Sequence, residues 1–520
     1  MKRFVCFGVI ALVLAAVPGF AFDFWSDRQA NLETVGTPRD PGARQAEMRE
    51  LQKQLAASQV GSALSREAVV RLSAAERKGI DEPGIRNGKY KVGISKSLGV
   101  TVNFSPVRPD QEVNLAFGTA RGGAKGGFVW TGSVHSPGAT AMRLHLTGVD
   151  LPAGAELYVY NLAGQAFGPY TGRGPLGNGD LYTNTVFGEK ILIQIIHPPH
   201  AEQLPAPLHI RGVGIMGKRF QAPRYGPDGA FDINDLGAIA KASNLCSYNA
   251  DCVVNAGCQS SAVVNGAKDA IASILFQSGA SFFICTGGLI ADTVSSSVIP
   301  FFLTAHHCIS SSGEASSVET YFDYATTCSS PNCTQPYNNA GETIGSTLLA
   351  SGSSSDFTLL RLSSTPTTPD GVASYLGWLS TAVANTNNLA LYRISHPSGA
   401  PQAYTEGVVD TSKPTCRTLP RGSFIYSRDT LGATEGGSSG SPVVNNSGQV
   451  VGQLYGACGF NVNNVCDAAA NATVDGAFAA SFPALQPFLD PGTGTCSSAG
   501  ASCTSNSQCC SGRCKGKRCQ

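Results

Sequence analysis

The chain has 520 residues, 42% of them hydrophobic, and a formal net charge of +1. That length exceeds one ordinary core and calls for two or more domains. The near-zero charge excludes nucleic acid or an acidic membrane surface as the main partner, because both need a concentrated basic patch. Glycine is abundant at 60 residues and charged residues are sparse at 14%, a composition that suits a turn-rich, all-β extracellular protein.

Residues 1–21 read as a signal peptide. Lys2 and Arg3 precede an apolar run from Phe4 to Val17, Pro18 and Gly19 break it, and cleavage is expected after Ala21. The run is short for a bilayer span, and no later stretch is apolar enough to cross one. Asp23 to about Pro83 is polar and helix-prone, with Met48, Leu51, Leu55, Val69, Val70 and Leu72 recurring at roughly helical spacing. From about Tyr90 to Gly217 the pattern changes to strand-like runs, among them Met142–Leu146, Glu156–Tyr160 and Ile191–Ile195, separated by turns such as Pro152-Ala153-Gly154. This section predicts a small β-sandwich. A linker follows from Arg219 to about Asn244. Cys246 to about Pro491 is again strand-rich, and a second linker, Asp490–Gly494, leads to a tail of Cys, Ser, Gly, Lys and Arg.

There are 17 cysteines, one of which, Cys6, lies in the leader. The even remainder, behind an export signal, points to disulfides. The paired-cysteine spacing of a zinc site is absent from the first cysteine group, so no metal is expected. The last six, Cys496, Cys503, Cys509, Cys510, Cys514 and Cys519, resemble an inhibitor cystine knot. So small a segment has no core and depends on its bridges.

Three motifs in the third section carry chemistry. They are Phe301-Phe302-Leu303-Thr304-Ala305-His306-His307-Cys308, Ser355-Asp356-Phe357-Thr358-Leu359-Leu360, and Glu435-Gly436-Gly437-Ser438-Ser439-Gly440-Ser441-Pro442. Amide hydrolysis needs a serine oxygen activated by an imidazole, a carboxylate that fixes the imidazole tautomer, and N–H donors for the oxyanion. Ser439, His307 and Asp356 supply the first three, and the N–H groups of Gly437 and Ser439 supply the donors. Taken singly, Ser439 could be a turn residue, Asp356 a cap and His307 a core histidine. Together, in the order His, Asp, Ser, they point to catalysis. His396 lies between the Asp and Ser motifs and reads as structural.

These motifs resemble those of chymotrypsin-like serine proteases, and more closely those of bacterial lysyl endopeptidases, over about Cys246 to Pro491. The resemblance implies a double six-stranded β-barrel for residues 242–491, with His307, directly before Cys308, as the base. It implies a Cys285–Cys308 bridge, and by similarity Cys246–Cys458 and Cys252–Cys328. Cys258, Cys333, Cys416 and Cys466 stay unassigned. The resemblance also implies a propeptide over residues 22–241, helical and then sandwich-like. That segment would serve as folding aid and inhibitor and be removed by cleavage between Lys241 and Ala242. Residues 492–520 form the six-cysteine module.

The expected activity is that of a secreted, monomeric serine endopeptidase acting on protein or peptide substrates without a cofactor. Leu454, Tyr455 and Gly456 would pair with extended substrate. Two positions depart from the trypsin pattern. Ser438 stands where many relatives have the Asp that receives the new N-terminus, and Ala433 stands where trypsin-like enzymes have the Asp that reads Lys or Arg. Asp475, and second to it Asp467, is expected to take over that reading of a basic residue. The rival reading is an inactive protease homologue acting as an adhesin or binding protein.

Overall fold

The computed structural model describes residues 28–60, 67–81, 84–86, 89–104, 107–199, 201–202, 207–218, 220, 245–246, 248–294, 298–329, 333, 341–366, 368–491, 500–504, 509 and 513–519. No helix among them is long and apolar enough to cross a membrane. The leader and the Lys241–Ala242 bond lie outside the described residues.

The N-terminal section begins with α1 (Pro41–Ser58). Its first residue is a proline, and the Asp40 carboxylate accepts the Gly42 N–H at 2.9 Å, so the start is fixed by the residues best suited to it. Met48 and Leu55 face inward from it. The helical expectation stops short of Val69, Val70 and Leu72. Ala68–Val69 is a short strand, with Val69 exposed and Val70 buried, so three apolar residues in four did not mark a helical stripe. A second helix, α2, spans Ala74–Asp81.

Among the strands that follow are β1 (Lys89–Val102), β2 (Phe128–His135), β3 (Ala141–Thr147), β4 (Glu156–Tyr160), β5 (Lys190–His197) and β6 (Leu208–Met216). β4, β5 and β2 are neighbours in one sheet, and β3, β6 and β1 in another. Val134, Val159 and Ile193 from the first share a core with Leu144, Ile210 and Ile215 from the second. Each such buried side chain contributes about 1.5–3 kcal/mol.

The second sheet does not end at β1. It continues into the cysteine-bearing section through β8 (Ser281–Leu289), with Ser281 opposite Ile94 and Ile284 opposite Tyr90. β7 (Ile271–Ser278) lies on the far side of β8. β9 (Phe301–Ala305) is buried along its whole length. After α3 (Ser312–Ser316) come β10 (Glu319–Phe322), β11 (Gly341–Ile344), β12 (Ser346–Gly352) and β13 (Phe357–Leu362). The pairing path runs β10–β7–β8–β9–β13–β12. β11 leads into β12 across Gly345, at φ +78°, and pairs back with β10.

The remaining strands are β14 (Ala390–Ser395), β15 (Ala403–Val409), β16 (Phe424–Leu431), β17 (Pro442–Val444), β18 (Val450–Gly459) and β19 (Asn471–Ala477). They close a six-stranded barrel in the order β14–β15–β16–β19–β18–β17 and back to β14. α4 (Phe478–Leu489) seals the core. Its buried Phe478, Phe482, Leu485 and Leu489 recur at helical spacing, and Phe478 and Phe482 pack on Trp378 with ring centroids 5.7 and 4.9 Å away.

The N-terminal section holds the second half by more than the shared sheet. Gln29–Ala30 and Glu33–Gly36 add short strands beside Trp378–Leu379 and Val372–Tyr375. Lys89 pairs with Glu314 at 2.7 Å, Arg44 with Glu342, and Arg143 with Glu319, the last pair fully buried.

The Cys285–Cys308 bridge is present. The other two pairings implied by resemblance are not: Cys246 joins Cys333 and Cys252 joins Cys466, while Cys258 pairs with Cys328 and Cys416 with Cys458. Cysteine spacing does not encode which loops meet, and here the segment before β7 is stapled to two distant loops. In the tail, Cys503–Cys514 and Cys509–Cys519 are bonded, and Cys496 and Cys510 lie outside the described residues.

Candidate active site

β9 delivers Ala305-His306-His307-Cys308 at its end, and β13 begins directly after Asp356. The two strands pair with Ala305 opposite Phe357, so the residues just beyond each are brought together. His307 is held at two points by one carboxylate. Its backbone N–H donates to Asp356 Oδ1 at 2.8 Å, and its ring Nδ1 lies 2.7 Å from Asp356 Oδ2. Asp356 is buried and sits at φ +52°, a left-handed conformation that few side chains other than Asp and Asn tolerate. His306 points elsewhere, its Nδ1 lying 2.8 Å from the Ser351 hydroxyl. The two adjacent histidines therefore have different partners, and the one beside Cys308 has the carboxylate.

Ser439 comes in on the turn between Glu435 and Pro442. The Thr286 N–H donates to the Ser439 carbonyl at 2.8 Å, the Thr286 hydroxyl to the Gly437 carbonyl at 2.8 Å, and Cys308 Sγ lies 3.7 Å from the Ser439 carbonyl. The turn admits nothing larger than glycine at two positions. A Cβ on Gly440 (φ +83°) would lie 2.2 Å from Thr304 Oγ1, and one on Gly437 (φ +101°) 2.7 Å from the His396 carbonyl. The N–H groups of Ser438, Gly440 and Ser441 donate within the barrel, to the carbonyls of Glu435, Leu454 and Ser438.

Ser438, unexplained by sequence, is buried with its hydroxyl accepting from the Ser395 hydroxyl at 3.0 Å. The ionic anchor of this turn is Glu435, which the sequence reading passed over. Its carboxylate accepts from Asn249 Nδ2 and the Ala250 N–H, both at 2.7 Å, and from the Ser398 hydroxyl at 2.8 Å. The turn is thus tied to the segment just after Cys246.

His396 is fully buried behind Gly437, stacked on Tyr324 at 5.4 Å, with Nδ1 3.0 Å from the Ala400 carbonyl. Burial drives its pKa down to about 4, against the Ala400 hydrogen bond, so the ring is neutral. Leu454 is buried in β18, and Tyr455 next to it meets His307 edge-on at 5.5 Å. Gly456 follows at a bulge in the β18–β19 pairing.

The two acids proposed from sequence to read a basic residue are placed differently. Asp475 is completely buried and pairs with Arg393. Burial pushes its carboxyl up while Arg393 draws it down. Its side chain faces the barrel interior because β18 and β16 flank it in this register, which alternation along the sequence does not reveal. Asp467 lies in the loop before β19, accepting from Asn461 Nδ2 and the Ala470 N–H.

Residues 240–470 match the family model for the lysyl endopeptidase C-terminal domain. The "Lysyl endopeptidase" of Pseudomonas aeruginosa is 32% identical over 230 residues, which cover 41% of this chain and 46% of that protein. The chain thus spans about half the length of this curated relative. Among solved structures, the Rv3671c protease of M. tuberculosis in its active form is 16% identical over 43% of this chain and 82% of that one, at a TM-score of 0.28. An HtrA-type protease solved with a tripeptide is 14% identical over 47% and 67%, at 0.31. At these scores the structural likeness carries no weight for fold or function.

Proposed function

We propose that the chain is an exported serine endopeptidase with the two-barrel, chymotrypsin-like architecture, working through Ser439, His307 and Asp356. The observation that carries this reading is the double grip of Asp356 on His307, with the neighbouring Cys308 sulfur against the Ser439 carbonyl. Asp356 fixes the proton on Nδ1 and leaves Nε2 as base. Ser439 Oγ attacks the scissile carbonyl as Nε2 takes its proton. The oxyanion lies against the N–H groups of Gly437 and Ser439, on the glycine-flanked turn that carries the nucleophile. The imidazolium then gives its proton to the departing amine, and a water, activated by the same nitrogen, hydrolyses the acyl-enzyme.

Leu454 to Gly456 pair with extended substrate in this reading, and the P1 residue, the one before the scissile bond, is Lys or Arg. Residues 22–241 act as a propeptide, and the mature enzyme begins after a cut near Lys241. The ion pairs that join the two halves support a tight pre-cleavage complex. An organophosphate should label Ser439 and abolish peptide hydrolysis. Absence of labelling in correctly folded protein would leave an inactive binding homologue as the better description. N-terminal sequencing of the secreted protein, with and without Ser439→Ala, tests self-processing.

A further inference from the structure

Two walls of a small pocket are contiguous with the Ser439 turn. Thr434 lies five residues before Ser439, and Ala457 two residues after Tyr455. The rest is built from β19, the 460–470 loop and the end of β16. Ala457, Val462, Val465, Ala468 and Ala472 make it apolar, and Asp429 is the one ionisable residue among the described residues that line it. Of the other polar lining residues, Asn471 is spent on its own loop, donating to the carbonyls of Asn461 and Asn464. Thr473 donates its hydroxyl to Asp429 Oδ2 at 2.8 Å.

The register explains how Asp429 arrives there. Ser427 on β16 is opposite Thr473 on β19, and Ile425 opposite Asp475. Side chains two apart share a face, so Asp429, Thr473 and Asp475 look the same way. Behind the pocket Arg393 is already taken by Asp475. Two carboxylates therefore face one guanidinium. Lys413 also acts on Asp429, but its ammonium is held by the carbonyls of Ala468 and Ala469 at the wetter outer wall.

We infer that Asp429, not Asp475, is the carboxylate that receives a basic P1 side chain, with Thr473 as the positioning residue that orients it. This rests on the protease reading above. The apolar walls suit the methylene stem of a basic side chain, and the acid shares the Arg393 charge with Asp475. Burial raises the Asp429 carboxyl to about 6, with Asp475 adding to the rise and Arg393, Thr473 and Lys413 opposing it. A bound ammonium relieves that cost. With Oδ2 engaged by Thr473, a single ammonium suits the site better than the two-pronged guanidinium, so Lys is favoured over Arg.

The test uses the protein expressed as the full chain and allowed to process, and matched peptides with Lys, Arg, Leu or Glu at P1, with organophosphate labelling of Ser439 as the measure of an intact site. Asp429→Asn should cut the Lys-to-Leu ratio of kcat/KM on the order of 100-fold. Asp429→Lys should shift preference toward an acidic P1 residue, a gain that misfolding cannot mimic. If Asp429→Asn labels normally and keeps its Lys-to-Leu ratio, the assignment is wrong while the protease reading stands. If the wild-type protein neither labels nor cleaves, both fall together.

Discussion

Replacing Lys89 with Met probes how firmly the N-terminal section is held. Lys89 opens β1, and its ammonium reaches across to Glu314 in α3 at 2.7 Å and to the Ser278 hydroxyl at 3.2 Å. It also lies over the rings of Phe276 and Phe283, 5.3 and 5.8 Å from their centroids. Burial alone would raise the Glu314 carboxyl. Hydrogen bonds from Lys89, Ser278 and the Ser310 N–H overcome that and hold it at about 2. Against an ordinary glutamate, a depression of this size is worth about 3 kcal/mol. Lys89 is one of several donors and the pair is partly reached by solvent, so its own share after screening is about 2 kcal/mol. That equals about 30-fold in affinity. A recognition site for an unrelated protease placed within residues 221–244 would allow the linker to be cut and dissociation of the halves followed. Lys89→Met should speed dissociation about 30-fold at pH 7. Because the Glu314 pKa is depressed on folding, the contribution is present above about 4.5 and disappears as pH falls toward 2. The gap between wild type and variant should therefore close in acid. Equal dissociation at pH 7, or a gap that widens in acid, would refute the reasoning.

The paired histidines give a sharp contrast. His307→Ala should reduce peptide hydrolysis by about 10⁴-fold or more, whereas His306→Ala, whose ring faces Ser351, should cost under about tenfold. Steady-state kinetics with one peptide decides between them, and equal losses would remove the distinction. Asp475→Asn removes the carboxylate paired with Arg393 in the barrel and should cost about 3 kcal/mol in denaturant titration; a change within about 0.5 kcal/mol, typical of surface positions, would place the pair outside the core energetics. Gly440→Ala should lose organophosphate labelling, since its Cβ would meet Thr304 Oγ1 at 2.2 Å from a left-handed backbone. Normal labelling would show that the turn can yield.

The parts of the molecule legible in sequence are those written locally. Phe301–Ala305, Glu156–Tyr160 and the run after Asp356 declare themselves as strands by apolar content and bounding turns, and each is a strand. The assignment of Asp356 to His307 rather than His306 was legible only through the resemblance, because both histidines follow the same strand. What escaped reading depends on how separate segments come into register. Asp475 looked like a pocket acid because the resemblance to lysyl endopeptidases places an acid late in the domain, yet the β16–β19 register turns it inward onto Arg393. The same register brings Asp429, 46 positions earlier, to the pocket, and no local pattern around Ser427-Arg428-Asp429 announces it. The joining of β1 to β8 is likewise invisible to periodicity, which predicts strands but not partners.

The Cys252–Cys466 bridge has a consequence for how the molecule would respond to reductants. Cys466 is exposed and follows Val465, which walls the pocket, whereas Cys285 and Cys308 behind His307 are wholly buried. Thiol exchange begins where an attacking thiolate can reach sulfur. In a mildly reducing medium the loop that walls the pocket is thus released before the segment that holds the imidazole. The pocket and the imidazole are fastened by separate bonds of unequal accessibility, and graded reduction should release them in turn.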